Sequence, residues 1–532
     1  MGIKPRRVTD KDLKKAGGVE PFIRQLVKDV ASGSMEVREQ AAMLIKSLTE
    51  QGPLATAVEG GKLKDNGALV AEAGGIAPLV ELAGSGTAEA KGFSLTALAH
   101  LADGHPEHQR AIVDDGGVSK IAACLKNGDA PTQGAAAAAM ASVSQLKSSE
   151  AAFVAAGTIG RLVHLLEGGA VHLQVYAASS LANLARDASG QNAIGKAGAV
   201  APLVALLESG KAQEAASLCL ERLALDHEPN QAIITEFGGP KKLVALLDVV
   251  SVETQAHAAG ALAALASGDS TYEQDVIAKV GGIRPLLALV ESRHASAQRS
   301  AVHALAMLAR NNRANQDAIV DFGGLAPLLR IIDNEGGGGA GGAAGAGKGD
   351  GGGGGGGGGS TSVQAVQEQA VLALAEISRG NPKNQSGIGS SGAISSLISL
   401  LRFSKSSMIE AEVAGAIWAL SENHPSNKVV IAAETGCIAA LVAQLGMEEP
   451  RAKNHASNAL NSLAVSVAPR CHSRPPPLTV ADLLILSCHR PFDRHLLGAS
   501  RSLGLSRTPT RLPPSRLSHL LLCSLPVVII CV

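Results

Sequence analysis

Aromatic residues and an excess of charge of either sign are both scarce in this chain of 532 residues. Phe, Trp and Tyr number only 7, 1 and 2, so a core has to be built from Ala, Leu, Val and Ile, which suits closely packed helices. Lys and Arg together (47) equal Asp and Glu together (47). The sequence therefore lacks the global basic excess typical of proteins that follow phosphate backbones, and we expect no nucleic-acid partner.

Paired cysteines and long apolar runs are also missing. The seven cysteines are scattered, and Cys124, Cys219 and Cys437 lie within apolar helical patterns, which favours a reducing compartment. The segment from Met1 to Lys15 lacks the apolar centre of a secretory signal. Leu517 to Val532 is interrupted by polar residues and is shorter than the ~20 residues that span a bilayer. We expect a cytoplasmic protein, with the nucleus as an alternative, and no membrane partner.

A regular repeat dominates what is present. A small residue and a glycine precede an apolar helix start ten times, and seven of the nine gaps between these glycines are 40 to 44 residues. Because 532 residues exceed the ~250–300 at which one compact core stops growing, this period predicts an array of about ten stacked units. The glycines are Gly18, Gly75, Gly117, Gly157, Gly198, Gly239, Gly282, Gly324, Gly392 and Gly436.

Each unit reads as three helices. In one unit a short helix starts near Gln191 and ends at Gly198, because glycine readily takes the positive φ that terminates a helix. A second helix is predicted to begin at Pro202, where a missing N–H is harmless. A third helix is clearest from Leu173 to Ala185, which places small and apolar residues on one face. A unit this small cannot bury its own apolar face, so neighbours have to stack.

The stretch from Asn315 to Val320, followed by Gly323 to Leu329 and preceded by Ser296 to Ala309, resembles the armadillo repeat. The resemblance covers residues 17–465 in tandem. It implies an all-α, right-handed superhelical solenoid of about ten three-helix repeats, whose third helices line a concave groove for partner polypeptides. HEAT repeats have a similar period, but the three-helix pattern and the glycine before the second helix favour armadillo.

Three segments fall outside this pattern. Residues 1–16 are predicted to be a flexible N-terminal segment. Residues 333–363, mostly glycine, are predicted to form a disordered insertion within the array, because they hold too little apolar surface to pack. Residues 466–532 are rich in Arg and Pro and are predicted to be a disordered tail, with a membrane anchor as the alternative.

The sequence motifs that would indicate phosphate binding, zinc binding or catalysis are all incomplete. Gly342 to Lys348 matches the start of a phosphate-binding loop, but Gly349 replaces the required Ser or Thr. Cys471-His472 and Cys488-His489 lack the close ligand pairs of zinc fingers. Histidines such as His164, His257 and His303 show no neighbouring nucleophile or repeated carboxylate partner. We therefore expect no enzymatic activity, catalytic residue, cofactor, metal or small-molecule substrate.

Two positions of each third helix, four residues apart, are candidates for a partner-binding groove. The importin-alpha proteins resemble this array and carry Trp and Asn at these positions, but only Trp418 and Asn183 match here, in different units. We expect a scaffold or adaptor that binds protein or peptide partners. A nuclear import adaptor resembling importin-alpha and a membrane-associated vacuolar-type armadillo adaptor are the alternatives. The candidate groove residues are His100, Asn183, Arg222, His303, Glu376, Trp418 and Glu422.

Overall fold

The computed structural model describes residues 7–51, 58–59, 62–63, 65–333, 358–404 and 406–464. Within these ranges the chain is all-helical, as predicted, apart from one antiparallel pair of two-residue strands, β1 (Val58–Glu59) and β2 (Lys62–Leu63). The chain divides into two compact bodies, Met1–Val280 and Gly281–Val532.

The helices of the N-terminal body, in chain order, are α1 (Asp10–Ala16), α2 (Val19–Ser32), α3 (Met35–Glu50), α4 (Asn66–Glu72), α5 (Ile76–Ser85), α6 (Ala88–Ala102), α7 (Pro106–Asp114), α8 (Gly117–Asn127), α9 (Ala130–Val143), α10 (Glu150–Ala155), α11 (Thr158–Gly168), α12 (Val171–Leu184), α13 (Ala188–Lys196), α14 (Val200–Leu206), α15 (Gln213–Ala224), α16 (Glu228–Glu236), α17 (Gly239–Ala245), α18 (Val252–Ala266) and α19 (Tyr272–Lys279). A 3-10 turn (Leu246–Asp248) extends α17.

The helices of the C-terminal body are α20 (Ile283–Val290), α21 (Ala295–Ala309), α22 (Arg313–Asp321), α23 (Leu325–Asp333), α24 (Gly358–Ser378), α25 (Pro382–Ser390), α26 (Ala393–Phe403), α27 (Ser407–Ser421), α28 (Pro425–Ala433), α29 (Cys437–Gln444) and α30 (Pro450–Ala464). Two helices lie partly or wholly in segments that were predicted to be without regular structure. Helix α1 lies within residues 1–16, and α24 begins inside residues 333–363.

The helices recur in sets of three along the chain. A first helix of 6–9 residues is followed by a second of 7–14 and a third of 12–21. In the N-terminal body the third helices pack side by side in the order α3, α6, α9, α12, α15 and α18. In the C-terminal body α21, α24, α27 and α30 do the same. Each set therefore buries its apolar faces against the next, as expected for units too small to have a core of their own.

Glycine marks the junction between first and second helices. Gly116 has φ = 71°, in the left-handed region that glycine enters without the cost that Cβ imposes on other residues. The neighbouring Gly117 is needed for a different reason, since a Cβ there would lie 2.5 Å from the carbonyl oxygen of Ile112. The positive φ predicted for the helix-ending Gly198 is confirmed, with φ = 80°. In five other units the positive φ belongs to the residue before the repeat glycine, namely Gly74, Gly116, Gly238, Gly281 and Gly323.

The proline of the second helix lies two positions further into the helix than predicted. Helix α14 begins at Val200, so Pro202 is its third residue rather than its first. Pro285 takes the same place in α20. The missing N–H remains harmless, because the first four N–H groups of a helix have no partner within it.

The core is aliphatic, as the scarcity of aromatics predicts. In α18 every residue from Ala258 to Ala266 is buried, and all are Ala, Gly or Leu. Cys124, Cys219 and Cys437 are buried and free of disulfides, and burial raises the pKa of the Cys437 thiol to about 12. These thiols are therefore packing residues rather than nucleophiles.

A ladder of buried amide side chains joins successive helices. Asn230, the third residue of α16, donates from Nδ2 to the carbonyl of Leu223 at 2.9 Å. The next residue, Gln231, donates from Nε2 to Ala224 (2.8 Å) and to Ala264 (2.9 Å), which lie on two adjacent third helices. Such bonds satisfy carbonyl groups that a helix end leaves unpaired.

Candidate functional site

The solvent-facing positions near the C-terminal ends of α6 and α12 share one register. Within residues 94–102 of α6, only Thr96 and His100 are not buried. Within residues 177–185, at the end of α12, only Ser179 and Asn183 are not buried. These are the two positions, four residues apart, that the sequence assigned to the groove.

The C-terminal body keeps the first of the two positions open. His303 is the one residue of 301–309 that is not buried, and Trp418 is the one residue of 411–421. The second position differs: Glu376 of α24 is only 6% exposed, whereas Glu422, which ends α27, is half-buried. Trp418, Glu422 and His303 are therefore the accessible candidates in this body.

Asn183 and Arg222, predicted in neighbouring units, are in contact. Arg222 Nη1 donates to the carbonyl of Ala182 at 2.8 Å and to Asn183 Oδ1 at 3.1 Å. Asn183 Nδ2 in turn donates to Ser144 Oγ at 3.1 Å. The guanidinium is thus held by two acceptors of the previous third helix, so Arg222 contributes to stacking as well as to the exposed surface.

An acidic pair lies beside this contact. The pKa of Glu150, at the start of α10, is raised to about 7 by burial first, then by hydrogen bonding and like-charge repulsion from Asp187. Asp187 accepts a hydrogen bond from the backbone N–H of Gly190 at 2.9 Å, and this bond holds its own pKa below the usual range. Asp187 therefore stays ionised while Glu150 carries a proton near neutral pH.

Three histidines on third helices have side-chain partners. His257 Nδ1 lies 2.8 Å from Glu221 Oε2. This carboxylate lies 36 residues away in the chain, on the preceding third helix, and the sequence did not reveal the contact. His303 Nδ1 lies 2.7 Å from Gln369 Oε1. His100, at the exposed end of α6, lies 3.2 Å from Thr49 Oγ1.

Arg379, which was not predicted from the sequence, contacts both Glu376 and Trp418 in the C-terminal body. Its Nε lies 3.3 Å from Glu376 Oε2, and its guanidinium carbon lies 5.0 Å from the centre of the Trp418 ring. A cation of the chain itself thus lies against both the Glu376 carboxylate and the indole. The spacing of three residues between Glu376, near the end of α24, and Arg379, directly after it, was a signal that could have revealed the pair.

A second ion pair joins α27 to α30. Arg451 Nη2 lies 2.8 Å from Glu412 Oε1, and the Glu412 side chain is 4% exposed. Burial raises the pKa of Glu412, although Arg451 opposes the rise. His455 lies 6.4 Å from Trp418 between ring centres, and its Nδ1 donates to the carbonyl oxygen of Ala411 at 2.8 Å. Burial lowers the pKa of His455.

Among the described residues, one group of side chains has the composition of a metal site. His105, Glu107 and His108 bring one potential ligand atom each to within 4.8 Å of one another at the start of α7. The sequence analysis expected no metal and did not single out these residues. The Cys-His pairs at 471–472 and 488–489, the phosphate-loop match at 342–348 and the tail 466–532 lie outside the described residues.

No single helix in the described part of the chain is long and apolar enough to cross a membrane. Two bent pairs of helices, Asn66–Glu72 with Ile76–Ser85 and Pro425–Ala433 with Cys437–Gln444, meet the length and composition test only when taken together.

Comparison with known proteins shows a likeness of structure. A crystal structure of an engineered protein from the Northeast Structural Genomics Consortium matches with a TM-score of 0.67 and 29% sequence identity, over 83% of this chain and 98% of that chain. A second engineered protein from the same consortium is 34% identical over 44% of this chain and 96% of that chain, with a TM-score of 0.42. No protein-family model matches the chain, and no curated protein matches it. The first likeness supports the helical repeat-like fold.

Proposed function

We propose that this chain is a non-enzymatic scaffold of armadillo type, a right-handed solenoid that binds partner polypeptides along its third helices. One observation carries the proposal: in the C-terminal halves of several third helices, burial is interrupted at the same one or two positions, as at Thr96 and His100 or at Ser179 and Asn183. Residues that serve only stacking need no such register of open polar positions. A polypeptide laid across adjacent third helices would meet one pair of these side chains from each.

Trp418 and Glu422 are the strongest anchor in this proposal. Tryptophan is among the residue types most enriched at binding hot spots, and Trp418 is left partly open inside an otherwise buried helix. Glu422 is half-buried one turn further on. A partner segment that carries Lys or Arg would place its aliphatic stem against the indole and its charge near this carboxylate.

Arg379 sharpens this proposal, because it already lies over the Trp418 ring and neutralises Glu376. A basic partner side chain therefore has Glu422 as its acidic contact, and it has to share the indole with Arg379. Glu376, being buried and paired, supports Arg379 rather than the partner.

The test is selection of ligands from a peptide display library on the full chain, followed by affinity measurement with two charge-reversal variants. Glu422→Lys should weaken the selected peptides by about tenfold or more, since a close attractive pair becomes repulsive. Glu448→Lys, at an exposed position between α29 and α30, is the matched control and should leave affinity unchanged.

Trp418→Ala is measured alongside for both folding and binding. The proposed anchor predicts lost binding with a small change in melting temperature. If Trp418→Ala lowers stability while Glu422→Lys leaves binding untouched, Trp418 is a packing residue and the proposed site is wrong. Selection of basic nuclear-signal peptides would favour the import-adaptor alternative.

A further inference from the structure

The first turn of α7 carries three potential metal ligands in the order His105, Glu107 and His108. His105 Nδ1 lies 3.5 Å from Glu107 Oε1, and His108 Nε2 lies 4.0 Å from the same oxygen. Pro106 occupies the first helical position between them, and its fixed φ restricts both its own backbone and that of His105.

His108 differs from its counterparts in other repeats in a way that stacking does not require. The third residue of four other first helices is Asn, and each Asn donates from Nδ2 to the carbonyl seven residues earlier. These bonds are Asn230 to Leu223, Asn315 to Leu308, Asn384 to Ile377 and Asn427 to Leu420, at 2.9–3.1 Å. His108 makes the same bond through Nδ1 to Leu101, at 2.7 Å. An imidazole has a second nitrogen, and in His108 it faces Glu107.

His105 also differs from the histidines at the equivalent helix start. His227 and His424 accept a hydrogen bond from the backbone N–H three residues on, at 3.3 and 3.2 Å. His105 makes no such capping bond. Its ring stacks on His108 with 4.9 Å between ring centres, and its Nδ1 faces Glu107. Both histidines of α7 thus turn a nitrogen toward one carboxylate.

We propose that His105, Glu107 and His108 form a binding site for one divalent cation of the zinc class, with solvent completing the coordination. Two imidazole nitrogens and one carboxylate oxygen are a ligand set that zinc takes when it keeps an open position. The hydrogen bond from His108 Nδ1 to Leu101 holds the ring with Nε2 as the metal-facing nitrogen, as outer-shell partners of metal-binding histidines do.

The separations need only a small adjustment to bind the ion. Ligands at about 2.1 Å from zinc in a tetrahedron lie about 3.4 Å apart. The two separations from Glu107 Oε1 are 3.5 Å and 4.0 Å, and all three ligand atoms lie within 4.8 Å of one another. The two rings are inclined by only 29°, so the His105 ring, whose side chain is 39% exposed, turns to direct its lone pair at the ion. The N-terminus of α7 opposes a cation with about half a unit charge, less than the full charge that Glu107 contributes.

The experiment is a calorimetric titration of the full chain with Zn²⁺ alone, in a Cys471→Ser, Cys488→Ser background that removes the thiols of the two Cys-His pairs. We expect one equivalent of Zn²⁺ to be lost, or its dissociation constant to rise at least tenfold, in His108→Asn, since loss of even an outer-shell partner costs ~10–100-fold. Asn restores the residue that makes the carbonyl bond in other repeats, so the melting temperature of His108→Asn without metal should match that of the background protein.

His227→Asn is the matched control and should bind Zn²⁺ as the background protein does, because Asn230 stands at the position of His108 and leaves His227 and Glu228 without a second histidine. Glu107→Gln provides a second variant on an exposed side chain that cannot disturb packing, and it should also weaken the site. The proposal is overturned if the background protein binds no Zn²⁺, or if both His108→Asn and Glu107→Gln bind it with unchanged affinity and stoichiometry.

Discussion

Individual side chains in this molecule have two roles, holding adjacent helices together and facing solvent. Arg222 donates to Ala182 and Asn183 of the preceding third helix, yet it remains half-buried rather than enclosed. Arg379 similarly pairs with Glu376 and covers part of Trp418. Substituting such residues changes stability and surface chemistry together, so binding measurements need a folding control for each variant.

Glu150 gives the stability of the N-terminal body a specific pH dependence. Its pKa rises from 4.5 to about 7 on folding, so the folded state holds a proton that the unfolded state releases. Stability from this group is present below pH 4.5 and is lost progressively as the pH rises to about 7, then stays constant.

Glu150→Gln should remove this loss, because the amide is neutral at every pH and can still donate to Asp187. We expect the variant to be more stable than the native chain at pH 8 and to differ little from it at pH 4.5. Urea unfolding followed by circular dichroism at both pH values measures this. A variant that lost stability equally at both would show that Glu150 acts through packing rather than titration.

For individual residues, the sequence predicted which helix carries a side chain better than it predicted which partner that side chain contacts. Helical register placed Asn183, Arg222 and Trp418 on third helices, and their partly open environment follows from that register. The burial of Glu376 and the contact of Arg379 with Trp418 depend on a helix that follows some forty residues later in the chain. Their distances are set by stacking, which a periodic pattern does not specify.

At the scale of elements, the junction between first and second helices was predictable but its detail was not. A glycine pair such as Gly238-Gly239 offers two candidates for the left-handed position, and the repeat pattern does not choose between them. The structure puts the positive φ at Gly238 and leaves Gly239 where a Cβ would lie 2.6 Å from the Ile234 side chain. Both positions need glycine, for conformational and steric reasons respectively, so composition alone cannot separate them.

The residues of the amide ladder were recognised in the sequence, but their hydrogen bonds between helices were not predicted. Asn315 and Gln316 were part of the repeat resemblance, yet their role emerges only when Gln316 is seen donating to Ala309, Glu376 and Arg379 on two third helices. Buried amides of this kind give each repeat a polar link to the next in addition to apolar packing.

A matched pair of neighbouring amides tests this ladder. Gln191 is buried and donates from Nε2 to the carbonyls of Arg222 and Leu225, both at 2.8 Å, whereas Asn192 is exposed and bonds only within its own helix, to Ala188. Gln191→Ala should cost about 1–3 kcal/mol, because buried acceptors lose their donor. Asn192→Ala should change stability by less than ~0.5 kcal/mol.

Hydrogen exchange measured by mass spectrometry gives a local reading of this prediction. In Gln191→Ala, amides of α13 and of the end of α15 should lose protection, and in Asn192→Ala they should not. Equal exchange in the two variants would show that apolar packing alone holds these helices in register.

At the scale of the whole molecule, the chain divides into two compact bodies, Met1–Val280 and Gly281–Val532. The interval from Gly239 to Gly282 matches the other intervals of the repeat. The sequence predicted ten similar units and no division between them, because a repeat period gives the order of helices along the chain and not how their contacts are grouped.

The glycine-rich segment provides the last test, since it separates α23 from α24 within the C-terminal body. Asp333 ends α23 and Gly358 begins α24, so 24 residues join them, whereas three residues join α26 to α27. Deleting residues 340–355 leaves eight residues, still more than the three that join α26 to α27.

If the segment acts only as a connection, cutting it threefold should stabilise the body by about 1 kcal/mol, because closure entropy scales with the logarithm of loop length. Inserting 16 Gly and Ser residues instead should destabilise it by only about 0.5 kcal/mol. Thermal unfolding of the two variants beside the native chain measures these opposite shifts. A marked fall in melting temperature on deletion would show that residues 340–355 pack against the helices and contribute to the fold.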